Sequence, residues 1–295
     1  MELRTKLAEK LESGGFTVTV ECVPPKGAAR DAVERFAAAL PSGVDAAVVA
    51  DNHEQITASA LACAAVLAAA GIEPVLTMVT RDRNRIALQS DALGAAMLGV
   101  GNVLCLSGDH QSLGVGPEAA GAYDIDSVQL VQALAALRDQ GRLLDGKLVE
   151  PKPSLFIGAA AHPGLKPLEL AMIGLRKKAE AGAQFLVTSP VFDETAFREW
   201  MAVVRATGID GSTPIIATVY PLTSAEQAEG LRGVPSETVE RLRNANDSAQ
   251  EGIAIAAEIA SRLKDIEGVR GIHVMSGGSE TAAAQVIRQA GLSRS

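Results

Sequence analysis

Short apolar runs rich in Val, Ile and Thr recur along the chain, and each is followed by a stretch of helical character. The runs are TVTVECV (17–23), DAAVVA (45–50), PVLTMV (74–79) and NVLCLSG (102–108). They continue with SLFIGAAA (154–161), QFLVTSP (184–190), PIIATVYP (214–221) and GIHVMS (271–276). Near-continuous apolar runs of this length read as strands buried on both faces. Among the intervening stretches, RNRIALQSDALGAAMLGV predicts a helix with Ile86, Leu93, Met97 and Val100 on one face. PLELAMIGLRKKAEAGA predicts another, stopped at Gly182 by a glycine cap. Region 223–265 has room for two or three helices, and MELRTKLAEKLES at the N-terminus predicts a short amphipathic one. Strict alternation of strand and helix predicts a parallel sheet with helices outside it. Eight repeats in 295 residues predict an α/β chain folded as a (β/α)8 TIM barrel, one domain over 1–295. A doubly wound open sheet is the alternative. It usually needs fewer strands, and no GxGxxG follows the first run.

Composition narrows the class. The chain is 47% hydrophobic but only 3% aromatic, so its core must be aliphatic and alanine-rich. A net charge of −8 disfavours a nucleic-acid partner, because phosphate backbones bind basic surfaces. Cys22, Cys63 and Cys105 lie in apolar runs without CxxC spacing. They predict buried, reduced thiols in a cytoplasmic protein, with no disulfide frame and no metal site. No apolar run reaches the roughly 18 residues of a membrane helix, and the N-terminus lacks the apolar centre of a signal peptide.

Parallel barrels carry their chemistry at the C-terminal ends of the strands. The first run ends in ECVPPK. Side chains alternate along a strand, so Val18, Val20 and Cys22 share the helix-facing side and Glu21 points into the barrel mouth. Pro24 and Pro25 cannot donate ladder hydrogen bonds and end the strand. A carboxyl there suits a general acid; a rim glutamate paired to a lysine or arginine is the competing reading. The fourth run ends on Ser107, Gly108 and Asp109, where glycine permits close approach of a ligand and the aspartate is either functional or a turn residue. The second run ends on Asp51 and Asn52. TRDRNR (80–85) offers Arg81, Arg83 and Arg85 to anionic groups, or to solvent alone. The stretch 109–125 is long for a compact domain, as binding loops are.

Three blocks of this sequence resemble the methylenetetrahydrofolate reductase family: ECVPPK, TRDRNRIALQSDALGAAMLGVGNVLCLSGD (80–109) and KKAEAGAQFLVTSPVFD (177–193). LFIGAAAHPG (155–164) and GIHVMS support it. The resemblance implies a (β/α)8 barrel that binds FAD at its C-terminal face, with FMN or no tightly bound flavin as less expected variants. It implies hydride transfer from NAD(P)H to the flavin, and from the flavin to the methylene carbon of 5,10-methylenetetrahydrofolate. The product is 5-methyltetrahydrofolate, and the setting is one-carbon metabolism and methionine biosynthesis. By the same resemblance Glu21 matches the proton donor to folate N10. Asp109 matches a group near the flavin edge and the pterin, and is the second catalytic candidate. Asp51, Ser107, Gly108, Tyr123, His162 and Lys178 fall at cofactor-side positions. Gln227 and Ser189 fall on the folate side.

Three positions depart from the family's pattern. A glutamine that touches pterin and nicotinamide is replaced by Ser189, a threonine near the nicotinamide by Ala50, and a folate-stacking aromatic by Leu231. Serine cannot reproduce the two-ended hydrogen bonding of glutamine. The departures imply either an ordinary reductase with compensating contacts or a divergent paralogue. Such a paralogue takes electrons from a partner subunit, uses another pterin one-carbon carrier, or serves within a larger complex. A homo-oligomer is a further expectation.

Overall fold

Each apolar run forms a strand. The computed structural model describes residues 4–52, 55–110 and 116–293. The strands are β1 (Thr17–Cys22), β2 (Ala46–Val49), β3 (Pro74–Val79), β4 (Asn102–Leu106), β5 (Phe156–Ala161), β6 (Phe185–Pro190), β7 (Ile215–Val219) and β8 (Val269–Val274). All neighbours pair in parallel, and β8 returns to β1 to close the barrel. The open-sheet alternative is thereby excluded. The first helix, α1 (Lys6–Glu12), precedes the barrel. The outer layer contains α2 (Arg30–Ala39), α3 (Ala60–Ala69), α4 (Arg85–Met97), α5 (Ser127–Gln140), α6 (Leu168–Glu180), α7 (Glu194–Ala206) and α8 (Ile209–Ser212). After β7 come α9 (Ala225–Gly230), α10 (Ser236–Asn244) and α11 (Ser248–Leu263), and α12 (Glu280–Gln289) follows β8.

Strand alternation divides the core into two layers. Val18, Val20 and Cys22 of β1 face outward and pack with the helices. The inner layer joins Leu7, Ala8 and Leu11 of α1 to Val48, Val75, Leu104, Phe156, Phe185 and Ile216. Two aromatics fill this layer: Phe156 and Phe185 stack at 5.0 Å, and a Cβ on Gly158 would fall 2.3 Å from the Phe185 ring. The short N-terminal helix is therefore a plug for the lower end of the barrel. Its free N–H groups at Lys6 and Leu7 donate to the Glu73 carboxylate at 2.9 and 2.8 Å, which satisfies the orphan donors of a helix start. With the bottom closed, the upper mouth is the open end.

Two details differ from the sequence expectation. In α4, Ile86 and Met97 are 73% and 88% exposed, and the buried face is Leu88, Ala92 and Ala95. Small alanines let the helix approach its neighbours closely, and the larger apolar side chains stay outside. Val100 is buried but lies beyond the helix end. The three cysteines are buried and free, and burial pushes the Cys22 thiol up to about 12. No described helix is long and apolar enough to cross a membrane.

Candidate active site at the barrel mouth

Glu21 is the last inward residue of β1 and is buried. The segment after β8 holds it. The Ser276 N–H donates at 2.9 Å, the Ser276 hydroxyl at 3.2 Å and the Gly277 N–H at 3.1 Å, all to Oε2. Glu21 also lines a cavity of about 100 Å3 with Ala50, Asn52, Tyr220, Met275 and Gly277. No lysine or arginine ion-pairs with Glu21 among the described residues, so the rim salt bridge is not what the fold builds. Gly277 has φ +55, a conformation that favours glycine.

A second group of candidates gathers over β4 and β5. Gly108 has φ +78, and a Cβ there would meet Val79 Cγ1 at 2.4 Å. The turn therefore requires glycine on two grounds and presents the exposed Asp109. The Asp109 carbonyl accepts from the Tyr123 hydroxyl at 3.0 Å, and the Tyr123 ring stacks on His110. The Ser107 hydroxyl is hydrogen-bonded to that of Ser127 at the start of α5. His162, just past β5, is accessible at the rim. The protein packed around its ring lowers its pKa, the Lys178 ammonium lowers it further, and Asp109 opposes both. Lys178 reaches in from α6 to the Ala160 carbonyl at 2.7 Å. Burial lowers its pKa, with Asp126 opposing. Asp109, Tyr123, His162 and Lys178 thus share one side of the mouth. Residues 111–115 of the long loop lie outside the described residues.

The arginine cluster is tied into the fold. Arg81 is buried, pairs with Asp82 at 2.7 Å and donates to the Asn52 carbonyl at 2.8 Å. Arg83 bridges Asp51 and Asp91, and Arg85 holds Asp124 at 2.8 Å. Each arginine is neutralised within the fold and binds loops together, and none is offered to a phosphate. Asp51 is likewise committed. It is buried, takes the Val79 N–H at 3.1 Å and pairs with Arg83. Burial raises its pKa, while Arg83 opposes.

Of the residues expected on the folate side, Ser189 is half-buried near the end of β6. Strict alternation would put Ser189 on one face with Phe185 and Val187, but the β6–β7 register shifts between Val187 and Pro190. Leu231, 37% exposed, caps α9. Gln227 accepts from the Thr223 N–H at 2.7 Å and donates to the Tyr220 hydroxyl at 2.8 Å. Tyr220, Ser276 and Gly277 were not singled out from sequence. Tyr220 was within reach, because it continues the inward series Ile216 and Thr218.

The donor set can be tested against a flavin. The glycine turn with Ser107 and Asp109, together with His162 and Tyr123, offers accessible polar groups suited to the edge of a planar heterocycle. Lys178 stands behind them. The residues fit the group at its ring end, while TRDRNR supplies no free cation for its phosphates.

A closed (β/α)8 barrel, plugged below and carrying a buried carboxyl in its upper mouth, has the form of a barrel enzyme. The family described as methylenetetrahydrofolate reductase matches residues 6–291, and the chain belongs to that family. It is 21% identical over 254 residues to a probable methylenetetrahydrofolate reductase (NADPH) of Caenorhabditis elegans, covering 82% of this chain and 36% of the relative. It is 26% identical over 148 residues to methylenetetrahydrofolate reductase 2 of Saccharomyces cerevisiae, covering 45% of this chain and 24% of the relative. The chain therefore spans about a third or less of these relatives. Among solved structures, an uncharacterized Clostridium thermocellum protein that binds two copies of 5-methyl-5,6,7,8-tetrahydrofolic acid superposes with a TM-score of 0.67 at 14% identity, over 96% of this chain and 97% of that one. A 2,3-dimethylmalate lyase superposes with a TM-score of 0.52 at 15% identity, covering 98% and 86%. At these identities the superpositions show the shared barrel.

Proposed function

We propose that this chain reduces 5,10-methylenetetrahydrofolate to 5-methyltetrahydrofolate, or runs the reverse oxidation, in one-carbon metabolism. The observation that carries this reading is Glu21: in a chain of this family, a buried carboxyl is fixed through one oxygen and lines a cavity in the barrel mouth. Glu21 supplies the proton at folate N10, so that the ring opens to an iminium at N5. Asp109, exposed on its glycine turn, places negative charge beside that cation. A bound flavin, FAD before FMN, supplies the hydride, and Ser107, Gly108, Asp109, Tyr123, His162 and Lys178 are the residues that would hold it. NADH or NADPH is the expected donor. We place the reaction in the cytoplasm, where the 5-methyl product feeds methionine biosynthesis.

A second reading is favoured at two positions. Ala50 lines the Glu21 cavity with a methyl group, and Ser189 carries one short hydroxyl. If the nicotinamide loses one or two hydrogen bonds there, at about 0.5–1.5 kcal/mol each, a partner subunit becomes the better electron source. One experiment tests both readings. The purified chain is incubated with FAD or FMN, then mixed anaerobically with NADH, NADPH or dithionite, followed by 5,10-methylenetetrahydrofolate. The expected result is a visible flavin spectrum that bleaches and returns as 5-methyltetrahydrofolate forms. Bleaching by dithionite but only slowly by either nicotinamide, with acceleration in Ser189→Gln, supports the partner-fed reading. No 5-methyltetrahydrofolate from any donor overturns the proposed activity.

A further inference from the structure

Asn52, just past the end of β2, has no part in the chemistry described above. Its backbone φ is +46, a left-handed conformation that strains most side chains and that asparagine tolerates better than most. The fold holds it there at two points. Buried Arg81 donates from its guanidinium to the Asn52 carbonyl at 2.8 Å. The side-chain oxygen, Oδ1, accepts from the Thr57 N–H at 3.0 Å and from the Thr57 hydroxyl at 3.4 Å. The backbone N–H is a donor only, so it fixes which end of the Asn52 amide is oxygen and which is nitrogen.

Asn52 is half-buried and lines the same cavity as Glu21. Its oxygen is spent on Thr57, and nothing among the described residues accepts from its Nδ2. What it has left to offer a ligand is a pair of N–H donors. Its neighbours on the cavity wall offer less. Ala50 presents a methyl group, and the Gly277 N–H is spent on Glu21. Gln55 also lines the cavity, but no described hydrogen bond fixes its amide. A strained backbone held in place beside a cavity is a mark of a functional position, and Asn52 combines it with a side chain oriented before any ligand arrives.

We infer that Asn52 is a ligand-contacting donor of the Glu21 cavity, giving an amide N–H to a carbonyl oxygen of the bound ring system, and that it supplies from the end of β2 the hydrogen bond that Ala50 cannot make. The oxo group of a pterin and the carboxamide of a nicotinamide both present such an oxygen. The inference rests on the folate reading above and leaves the contacts expected of Gln227 and Ser189 as they are.

The test is the affinity of the full chain for 5-methyltetrahydrofolate and for NADPH, measured by calorimetry in two variants with opposite flaws. Asn52→Asp keeps an oxygen for the Thr57 N–H and tolerates the positive φ, but it replaces the donor by a charged acceptor. Asn52→Gly suits the positive φ and adds no charge, but it gives up the Thr57 contacts along with the donor. Charge repulsion weakens binding in Asn52→Asp alone, and a loosened turn weakens it in Asn52→Gly alone. A lost donor weakens it in both. The expected loss is about two- to tenfold in Asn52→Gly, the worth of one hydrogen bond, and no smaller in Asn52→Asp. The ligand that weakens in both variants is the one whose carbonyl Asn52 meets. If neither ligand weakens in both, the inference is overturned and the folate reading stands. Wild-type chain that binds no folate at all overturns both.

Discussion

A carboxyl group can hold its place and still move a proton only if its two oxygens have different tasks. Glu21 is anchored through one of them. Oε2 takes three hydrogen bonds from Ser276 and Gly277, and the side chain also borders the cavity. Glu21→Gln separates the two tasks. The amide oxygen can still accept from the 276–277 segment, so the fold and folate binding should be kept, but the amide has no proton to give. Turnover of 5,10-methylenetetrahydrofolate should fall by at least about 100-fold, the lower end of what general acid catalysis contributes. Steady-state assay of the variant beside the wild type checks this, and near wild-type turnover makes Glu21 a structural residue. The position of Glu21 was legible in the sequence, since strand alternation and the proline pair place it without any homologue. What holds it was not. Its partners lie 255 and 256 residues away, and nothing local in ECVPPK names them. The same distance hid the fate of TRDRNR. Asp51 and Asp124 are 32 and 39 residues from the arginines they neutralise, so the loop reads as free positive charge until the barrel brings the acids to it.

Among the elements, α1 is the clearest case of a pattern that shows burial without showing against what. Its apolar face was visible, but the surface that receives it is the inner face of six strands, assembled only when the barrel closes. The strands were legible because burial on both sides prints continuous apolar runs. The face of α4 was misjudged because its largest apolar residues are not its buried ones, and alanine gives little contrast in a chain this rich in it. The plug assignment for α1 makes a measurable claim. Leu7 is fully buried in the inner layer. Leu7→Ala should cost about 2–5 kcal/mol, the range for emptying a buried leucine site. Urea unfolding reads the loss directly. The Glu21 cavity lies at the opposite end of the barrel, so the affinity for folate should change little. A cost below about 1 kcal/mol means that α1 lies on the barrel as an accessory and does not close it.

For the whole molecule, the barrel interior changes character from bottom to top: an apolar floor, then Thr19, Thr77, Thr218 and His273, then Glu21. His273 is buried, and its Nδ1 lies 3.0 Å from the Thr19 hydroxyl. Burial is the main cause of a pKa lowered to about 4, and the Thr19 backbone opposes it. The consequence for stability has a definite sign. An unfolded histidine binds its proton near pH 6.5, whereas the folded one stays neutral down to about pH 4. Between those values the unfolded chain holds more protons, so stability falls as pH drops. The contribution is complete above about pH 6.5 and is lost progressively toward pH 4. Its ceiling is about 3 kcal/mol, from about 2.5 pH units at 1.36 kcal/mol each. His162 is lowered too and acts in the same direction, while Asp51, raised by burial, acts in the opposite one as it takes up its proton. Wild-type acid sensitivity alone therefore does not isolate His273. His273→Asn does, because the amide can still meet Thr19 and cannot become a cation. Urea unfolding at pH 7, 5.5 and 4.5 should give a shallower decline for His273→Asn than for wild type, with the two curves converging toward acid by up to about 3 kcal/mol. Parallel curves over that range would show that His273 is protonated alike in the folded and unfolded chain, and that the polar layer beneath Glu21 is wetter than its burial implies.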